Sequence, residues 1–421
     1  MTLNDFETLG LAPSLTTALT RAGLKHPTPI QAQAVPLALE GHDILGLAQT
    51  GTGKTLAFGL PLVDHLLAES GQPAAKTAKA LILAPTRELA NQIAESLRPL
   101  AQGTRLRIAT VVGGQSISRQ IGVLARGTDI LVATPGRLID LMDRRAVDLG
   151  RVRHLVLDEA DQMLDMGFIH ALRRIAPRLG TPRQTMLFSA TMPKQMEELS
   201  RAYLTDPRRV QVAPPGKAAD KVAQSVHFLE RADKPARLRE ILSRDRDALT
   251  LVFSRTKHGA EKMMKGLVAD GFNATSIHGN KSQGQRDRAI KAFRDGTVTV
   301  LVATDVAARG IDIPGVAYVV NYDLPEVADN YIHRIGRTAR AGREGEAIAL
   351  CAPEEADLMH QIQRLLKAEV PVAGGTSPLP ADGSAPRGRP GKPRRQGGKP
   401  GRSDGAPSGN PPRRRRRRAA A

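Results

Sequence analysis

Short runs of branched and leucine-type side chains recur along the chain, each too short for a helix and each separated from the next by a longer stretch of helical period. In the first half these runs are Leu81-Ile-Leu83, Ile130-Leu-Val132, Leu155-Val-Leu157 and Met186-Leu-Phe188. Uninterrupted apolar runs of this length predict strands covered on both faces, as parallel strands are, with crossover helices between them. The second half repeats the rhythm with Leu251-Val-Phe253, Val300-Leu-Val302, Tyr318-Val-Val320 and Ala347-Ile-Ala-Leu350. The pattern therefore predicts an α/β protein with two parallel sheets in tandem. Between the halves, Ala213-Pro-Pro-Gly-Lys-Ala-Ala-Asp220 interrupts both periodicities and suits a hinge. The expected division is a first domain over 1–213, a linker over 214–219, a second domain over 220–370 and a tail over 371–421.

A length of 421 residues accommodates two domains of ordinary size and an extension. The formal charge of +19 is unevenly placed, because residues 371–421 hold thirteen Lys and Arg against two Asp. That tail has no aromatic residue and is dominated by Gly, Pro, Ser and Arg. It is expected to be disordered, since too little apolar surface is present to offset the entropy of ordering. Such a basic balance favours polyanions, either nucleic acid or an anionic membrane face. No apolar run approaches the length of a bilayer span, and the opening Met1-Thr-Leu-Asn-Asp5 does not resemble a secretion signal. Cys351 is the only cysteine, which excludes an internal disulfide and a cysteine-based zinc site. A reducing, cytoplasmic setting is the expectation.

The segment Ala48-Gln-Thr-Gly-Thr-Gly-Lys-Thr55 follows a candidate strand, Ile44-Leu-Gly-Leu47, and precedes a candidate helix. A loop that holds a triphosphate needs glycines where backbone N–H groups approach phosphate, a lysine for the β and γ oxygens, and a hydroxyl for Mg²⁺. Gly51, Gly53, Lys54 and Thr55 supply these, with Gln49, Thr50 and Thr52 completing the loop. Ala48 stands where the strict pattern has its first glycine. Asp158-Glu-Ala-Asp161 begins where the run ending at Leu157 stops, at the carboxyl end of a strand where open α/β sheets bind ligands. Asp158 suits Mg²⁺ and Glu159 suits the attacking water, the two pointing apart if the chain there is extended. The same acids also suit a plain helix N-terminus.

No second Gly-Lys-Ser/Thr occurs in residues 220–370, but His333-Arg-Ile-Gly-Arg-Thr-Ala-Arg340 is strongly basic. If residues 333–340 are helical, His333, Arg337 and Arg340 share one face and Arg334 turns aside. Paired arginines suit the charge on a transferring γ-phosphoryl group, although a solvated basic face has the same pattern.

Further segments complete a recognisable set: Pro27-Thr-Pro-Ile-Gln31, Pro85-Thr-Arg-Glu-Leu-Ala90, Gly113-Gly114, Thr134-Pro-Gly-Arg137, Ser189-Ala-Thr191, Val252-Phe-Ser-Arg-Thr256, Gln283-Gly-Gln-Arg286 and Ala303-Thr-Asp-Val-Ala-Ala-Arg-Gly-Ile-Asp312. With these, residues 3–350 resemble the DEAD-box ATP-dependent RNA helicases, most closely the bacterial RhlE-like group. The resemblance implies two RecA-like domains that bind ATP and RNA across the cleft between them. It implies that Gln31 reads adenine and that Phe6 stacks on it, though Phe6 also suits a core contact. Asp305 would reach the nucleotide from the second domain. Ser189 and Thr191 would couple hydrolysis to strand separation, with Asp161 and His333 joining the domains. RNA contacts would come from Arg87, Gly114, Thr134 and Arg137 on the first domain and from Arg286 and Thr304 on the second. Glycines, hydroxyls and single arginines suit backbone contact without sequence readout. Ala339 stands where the family often has glycine.

The implied activity is RNA-stimulated ATP hydrolysis coupled to local, non-processive unwinding or to remodelling of RNA–protein complexes. An ATP-gated RNA clamp or annealing chaperone and a DNA helicase of the same superfamily are the competing readings. RNA-decay or ribosome-assembly proteins are candidate partners, and the tail is either a non-specific RNA arm or a solvated extension.

Overall fold

The computed structural model describes residues 5–49, 51–212, 222–311, 313, 315–339 and 345–376. Strands β1 (Ile44–Leu47), β2 (Ala78–Leu83), β3 (Ile108–Val111), β4 (Thr128–Ala133), β5 (His154–Leu157), β6 (Gln184–Ser189) and β7 (Arg208–Gln211) make one sheet in the order β3-β4-β2-β5-β6-β1-β7. Strands β8 (Ala223–Phe228), β9 (Leu249–Phe253), β10 (Ala274–Ile277), β11 (Val300–Ala303), β12 (Val316–Asn321), β13 (Glu346–Cys351) and β14 (Val372–Gly374) make the second, in the order β10-β11-β9-β12-β13-β8-β14. Every described pairing between them is parallel.

Helices cover both faces, so alternate residues of one strand enter different cores. In β2, Ala80 and Ile82 pack on one face while Leu81 and Leu83 pack on the other. In β9, Leu251 and Phe253 face one core and Val252 the other. The eight apolar runs anticipated from sequence all fall within strands. The strands not anticipated, β3, β7, β8, β10 and β14, lie at or next to the sheet edges. An edge strand buries less of itself and carries a weaker apolar signal; Arg208 and Arg209 of β7 are exposed.

The second domain continues past the expected boundary at residue 370, because β14 pairs with β8 through Val372 and Val226. The linker over 214–219 lies outside the described residues, as does the tail from residue 377. Among the described residues no helix is long and apolar enough to cross a membrane.

Candidate active site

The phosphate-loop candidate joins β1, all of whose residues are buried, to the helix Lys54–Ala68. Gly53 caps that helix at φ +91°, a conformation that side-chain-bearing residues rarely adopt. A Cβ at Gly53 would lie 2.5 Å from Gln31 Nε2 and 2.8 Å from Thr28 Oγ1, so glycine is required by space as well as by dihedral. Gln31 itself ties the loop down: its Nε2 donates to Gly53 O (2.9 Å), and its Oε1 accepts from the Thr28 N–H (2.9 Å). The amide expected to read a base therefore spends half its capacity on the protein, leaving one N–H and one lone pair. Thr52 Oγ1 donates to Gln49 O (2.8 Å), tightening the same loop. Thr50 lies outside the described residues. Phe6 is 3% exposed and packs in the first core; its turn, Phe6–Leu9, lies against the helix Pro29–Leu39, so the ring is a core contact and not an open stacking surface.

Lys54 is buried, its Nζ makes no hydrogen bond, and it lies 4.0 Å from Asp158 Oδ1. Asp158 is the first residue past β5 and accepts the Glu159 N–H at 3.0 Å. Burial pushes its carboxyl up to about 7 against the pull of Lys54. Charging it is thus costly until a cation arrives. Glu159 is also buried, but the strand has already ended: its φ of +49° is left-handed, so a tight turn, not strand alternation, separates the two carboxylates. A buried ammonium with its donors unspent, beside a buried carboxylate and a glycine loop, is the donor set that a metal-bound triphosphate requires.

Asp161 is the hub of the next layer. Its Oδ2 accepts from Ala190 N (3.0 Å), Thr191 N (2.9 Å) and Thr191 Oγ1 (3.0 Å), and its Oδ1 from Gln162 N (2.9 Å). Ser189 Oγ donates to Thr191 O (2.7 Å). From the second domain, His333 Nε2 comes within 4.0 Å of Asp161 Oδ2. Burial raises the Asp161 carboxyl, but His333, Lys54 and the backbone donors outweigh it and hold the group below the ordinary range.

The basic run is not one helix. The helix Ala328–Ile335 stops before Gly336, so Arg337 lies beyond its end, where its Nη1 donates to Ile311 O (2.7 Å) and its Nε to His333 O (3.2 Å). Arg340 lies outside the described residues. Arg334 does turn aside: it is buried, grips both oxygens of Asp305 (2.5 and 2.7 Å) and reaches Asn321 Oδ1 (3.0 Å). Asp305, His333, Arg334 and Arg337 line one recess of the second domain.

Four of the RNA candidates, Arg87, Thr134, Arg137 and Arg286, line a cleft of about 440 Å³ with walls from both domains; Gly114 and Thr304 are not among its lining residues. Thr86 Oγ1 caps the helix Arg87–Ala101 by accepting the Leu89 N–H, which sets Arg87 at its first turn. Burial lowers the Arg87 pKa, opposed by Glu88, and nearby Arg286 and Arg137 lower it further. Gly114, at φ +72°, lies so close under Arg87 Nη1 that any Cβ would collide with it. Arg137 Nη1 donates to Gln115 O and Gln120 Oε1 (both 3.1 Å). Thr134 is buried at the N-cap of Pro135–Asp143, and Thr304 caps Asp305–Ala308 half-buried.

Sequence reasoning missed what holds the cleft shut. Glu88 Oε1 forms an ion pair with Arg286 Nη2 (2.9 Å) and accepts from Gln283 Nε2 (3.2 Å), and Arg87 Nη1 donates to Gln283 Oε1 (2.9 Å). Arg309 bridges Asp165 Oδ2 and Asn330 Oδ1, both at 3.1 Å. Each residue stood in or beside a quoted segment, but pairing it with a partner some 150–200 positions away needs the fold.

With this geometry in place, the comparisons agree. The DEAD/DEAH box helicase family matches residues 28–199, and the helicase conserved C-terminal domain matches residues 233–342. An ATP-dependent RNA helicase CshA from Limosilactobacillus reuteri is 43% identical over 368 residues, spanning 87% of this chain and 72% of that protein. The chain belongs to the DEAD-box helicase family. A second DEAD-box relative, CshA of Bacillus licheniformis, is 42% identical over 373 residues, spanning 88% of this chain and 74% of its own. Among solved DEAD-box structures, S. cerevisiae Dbp5 bound to RNA and ADP BeF3 superposes with a TM-score of 0.77 at 31% identity, covering 88% of this chain and 96% of that one. Mss116p bound to ssRNA and AMP-PNP gives 0.79 at 28% identity, covering 88% and 78%.

Proposed function

We infer that this protein is an ATP-dependent RNA helicase, which hydrolyses ATP to ADP and phosphate under RNA stimulation and separates short duplexes locally without travelling along them. The observation that carries the reading is the buried Lys54, its ammonium without a hydrogen bond, beside Asp158 and one layer from the Asp161–His333 contact between domains. In this reading Lys54 and the N–H groups of residues 49–55 bind the phosphates. Thr55 and Asp158 hold Mg²⁺, which offsets charge on the phosphate oxygens. Glu159 orients the attacking water and takes its proton, while Arg337, with Arg340, faces the γ-phosphoryl group. Asp161, Ser189, Thr191 and His333 relay the state of the phosphate to the cleft.

RNA lies along Arg87, Gly114, Thr134 and Arg137 on one side and Arg286 and Thr304 on the other, held by backbone contacts. It must displace the Glu88–Arg286 pair to do so. The arginine-rich tail adds sequence-independent affinity. An RhlE-like placement within the family, a cytoplasmic setting and work on ribosomal or decaying RNA belong to the same proposal.

The test is steady-state ATP hydrolysis with no polymer, with single-stranded RNA and with single-stranded DNA, using Lys54→Ala as the blank. Strong stimulation by RNA alone is expected. Equal stimulation by DNA would remove the RNA assignment, and indifference to both would remove the coupling.

A further inference from the structure

The two sheets correspond strand for strand, since adding seven to each strand number of the first order reproduces the second. The helix after β1, Lys54–Ala68, therefore corresponds to Lys234–Arg244 after β8, and Arg87–Ala101 after β2 corresponds to Lys257–Ala269 after β9. In the first domain this pair is closed: a Cβ on Gly59 would lie 2.5 Å from Leu97 Cδ2. The N-terminal helices Pro13–Arg21 and Pro29–Leu39 pack on the same pair. Among the described residues the second domain has no counterpart of those two helices, and a cavity of about 520 Å³ opens between its pair.

The floor of this groove is aliphatic, formed by Leu238, Met263 and Leu267. Gly266 thins one wall, and a Cβ there would meet no atom within 4 Å. The rim carries Arg231, Arg239, Arg255 and Lys262, of which Arg231 pairs with Glu354 (3.7 Å) and Arg255 with Glu355 (2.8 Å) from outside the lining. The two carboxylates in the lining are already engaged: Asp270 accepts from Arg239 Nε (2.6 Å), and Asp323 from Arg255 N (2.9 Å) and Ser254 Oγ (3.2 Å). Lys262 is exposed and makes no ion pair among the described residues. The groove shares no lining residue with the cleft or the recess beside it.

We propose that this groove docks an acidic segment of a partner protein, with a bulky aliphatic or aromatic side chain in the cavity and its acidic neighbours on the rim. The volume lies in the range of pockets that enclose most of a small ligand, and the exposed Lys262, with the N–H groups that the paired rim arginines have left over, selects acidic flanks. The chain's own arginine-rich tail has the wrong sign. A nucleic-acid strand suits the rim but not the floor, whose one ring, Tyr322, is half-buried with Lys234 Nζ 5.6 Å from its centroid; binding a strand by stacking uses successive exposed rings.

The experiment selects a random twelve-residue peptide library on the full-length protein, then measures the enriched peptides by fluorescence anisotropy against wild type, Gly266→Phe and Lys262→Glu. Gly266→Phe fills the groove where space exists, and retained RNA-stimulated ATP hydrolysis certifies that each variant is folded. Enriched peptides with a bulky apolar residue among acids, binding each variant about tenfold or more weakly, are the expected result. No such enrichment, equal binding to wild type and Gly266→Phe, or a loss of RNA affinity with peptide binding intact would each overturn the proposal.

Discussion

Replacing Asp161 by Asn separates two roles of one carboxylate. The amide keeps the shape but has a single oxygen, whereas the aspartate uses both: three donors converge on Oδ2 and the Gln162 N–H on Oδ1. In the better orientation the oxygen stays with Ala190 and Thr191, and the NH₂ opposes the Gln162 N–H. Three charge-assisted bonds become neutral, at about 1 kcal/mol each, and one buried donor is left unpaired at about 1–3 kcal/mol. The sum is on the order of 4 kcal/mol, and all these partners belong to the first domain. For a domain of this size that corresponds to a fall in Tm of roughly 10 °C. His333 lies 4.0 Å away across the cleft and contributes nothing to the first domain's internal bonds. His333→Ala should therefore leave the first melting transition in place while lowering RNA-stimulated turnover, and Asp161→Asn should lower both. Scanning calorimetry and steady-state ATP hydrolysis on the same preparations decide the matter. A first transition unmoved in Asp161→Asn would refute the hydrogen-bond accounting, and one moved equally by His333→Ala would refute the division between the two roles.

Glu261 provides a pH signature in the second domain. Hydrogen bonds from Lys281, His278 and Ser276 pull its carboxyl down to about 2. A depressed folded pKa stabilises above the ordinary glutamate value of about 4.5 and loses that contribution as pH falls toward 2. Glu261→Gln should therefore lower stability at neutral pH and flatten its decline between those limits in urea titrations; parallel acid limbs would contradict this. Truncation after Thr376, which spares β14, should raise the KM for RNA and leave kcat nearly unchanged. If about six tail charges engage single-stranded RNA, the log–log salt slope should change by roughly four units, and an unchanged slope would show that the tail does not bind.

How much of this was legible follows from where information is local. The buried central strands announce themselves because both faces of each are apolar, whereas β10, with Thr275 and Ser276, and β7, with its paired arginines, do not. The phosphate loop was readable because its glycines, lysine and hydroxyl are contiguous. The left-handed turn at Glu159 was not, since no glycine or asparagine marks it. Ala339 was noticed only as a departure from the family; its φ of +53° supplies the reason glycine is favoured there. Arg334 was expected to turn aside from Arg337 on one continuous helix; it does turn aside, but the helix stops between them, which no local signal announced.

Two sheets of the same strand order differ in that one holds the nucleotide candidate and the other does not. Lys234 opens its helix as Lys54 opens its own, at the end of the corresponding strand. Yet the Lys234 ammonium donates to Glu355 Oε2 (2.5 Å) and to Tyr322 O (2.7 Å). Glu355 also accepts from Arg255 Nη2 (2.8 Å) and from the N–H groups of Leu324 (3.1 Å) and Ala352 (3.2 Å). An ammonium, a guanidinium and two backbone N–H groups are the donors a phosphate attracts. In the second domain a carboxylate of the chain itself takes them all, which makes that site a fixed, buried joint. In the first domain the Lys54 nitrogen has no hydrogen bond to give up, so an incoming anion gains the full interaction without breaking one. The difference between the two domains is thus one of donors already spent against donors still available. Under the proposed function, the second domain would then act on the nucleotide from outside, through the recess lined by Asp305, His333 and Arg337.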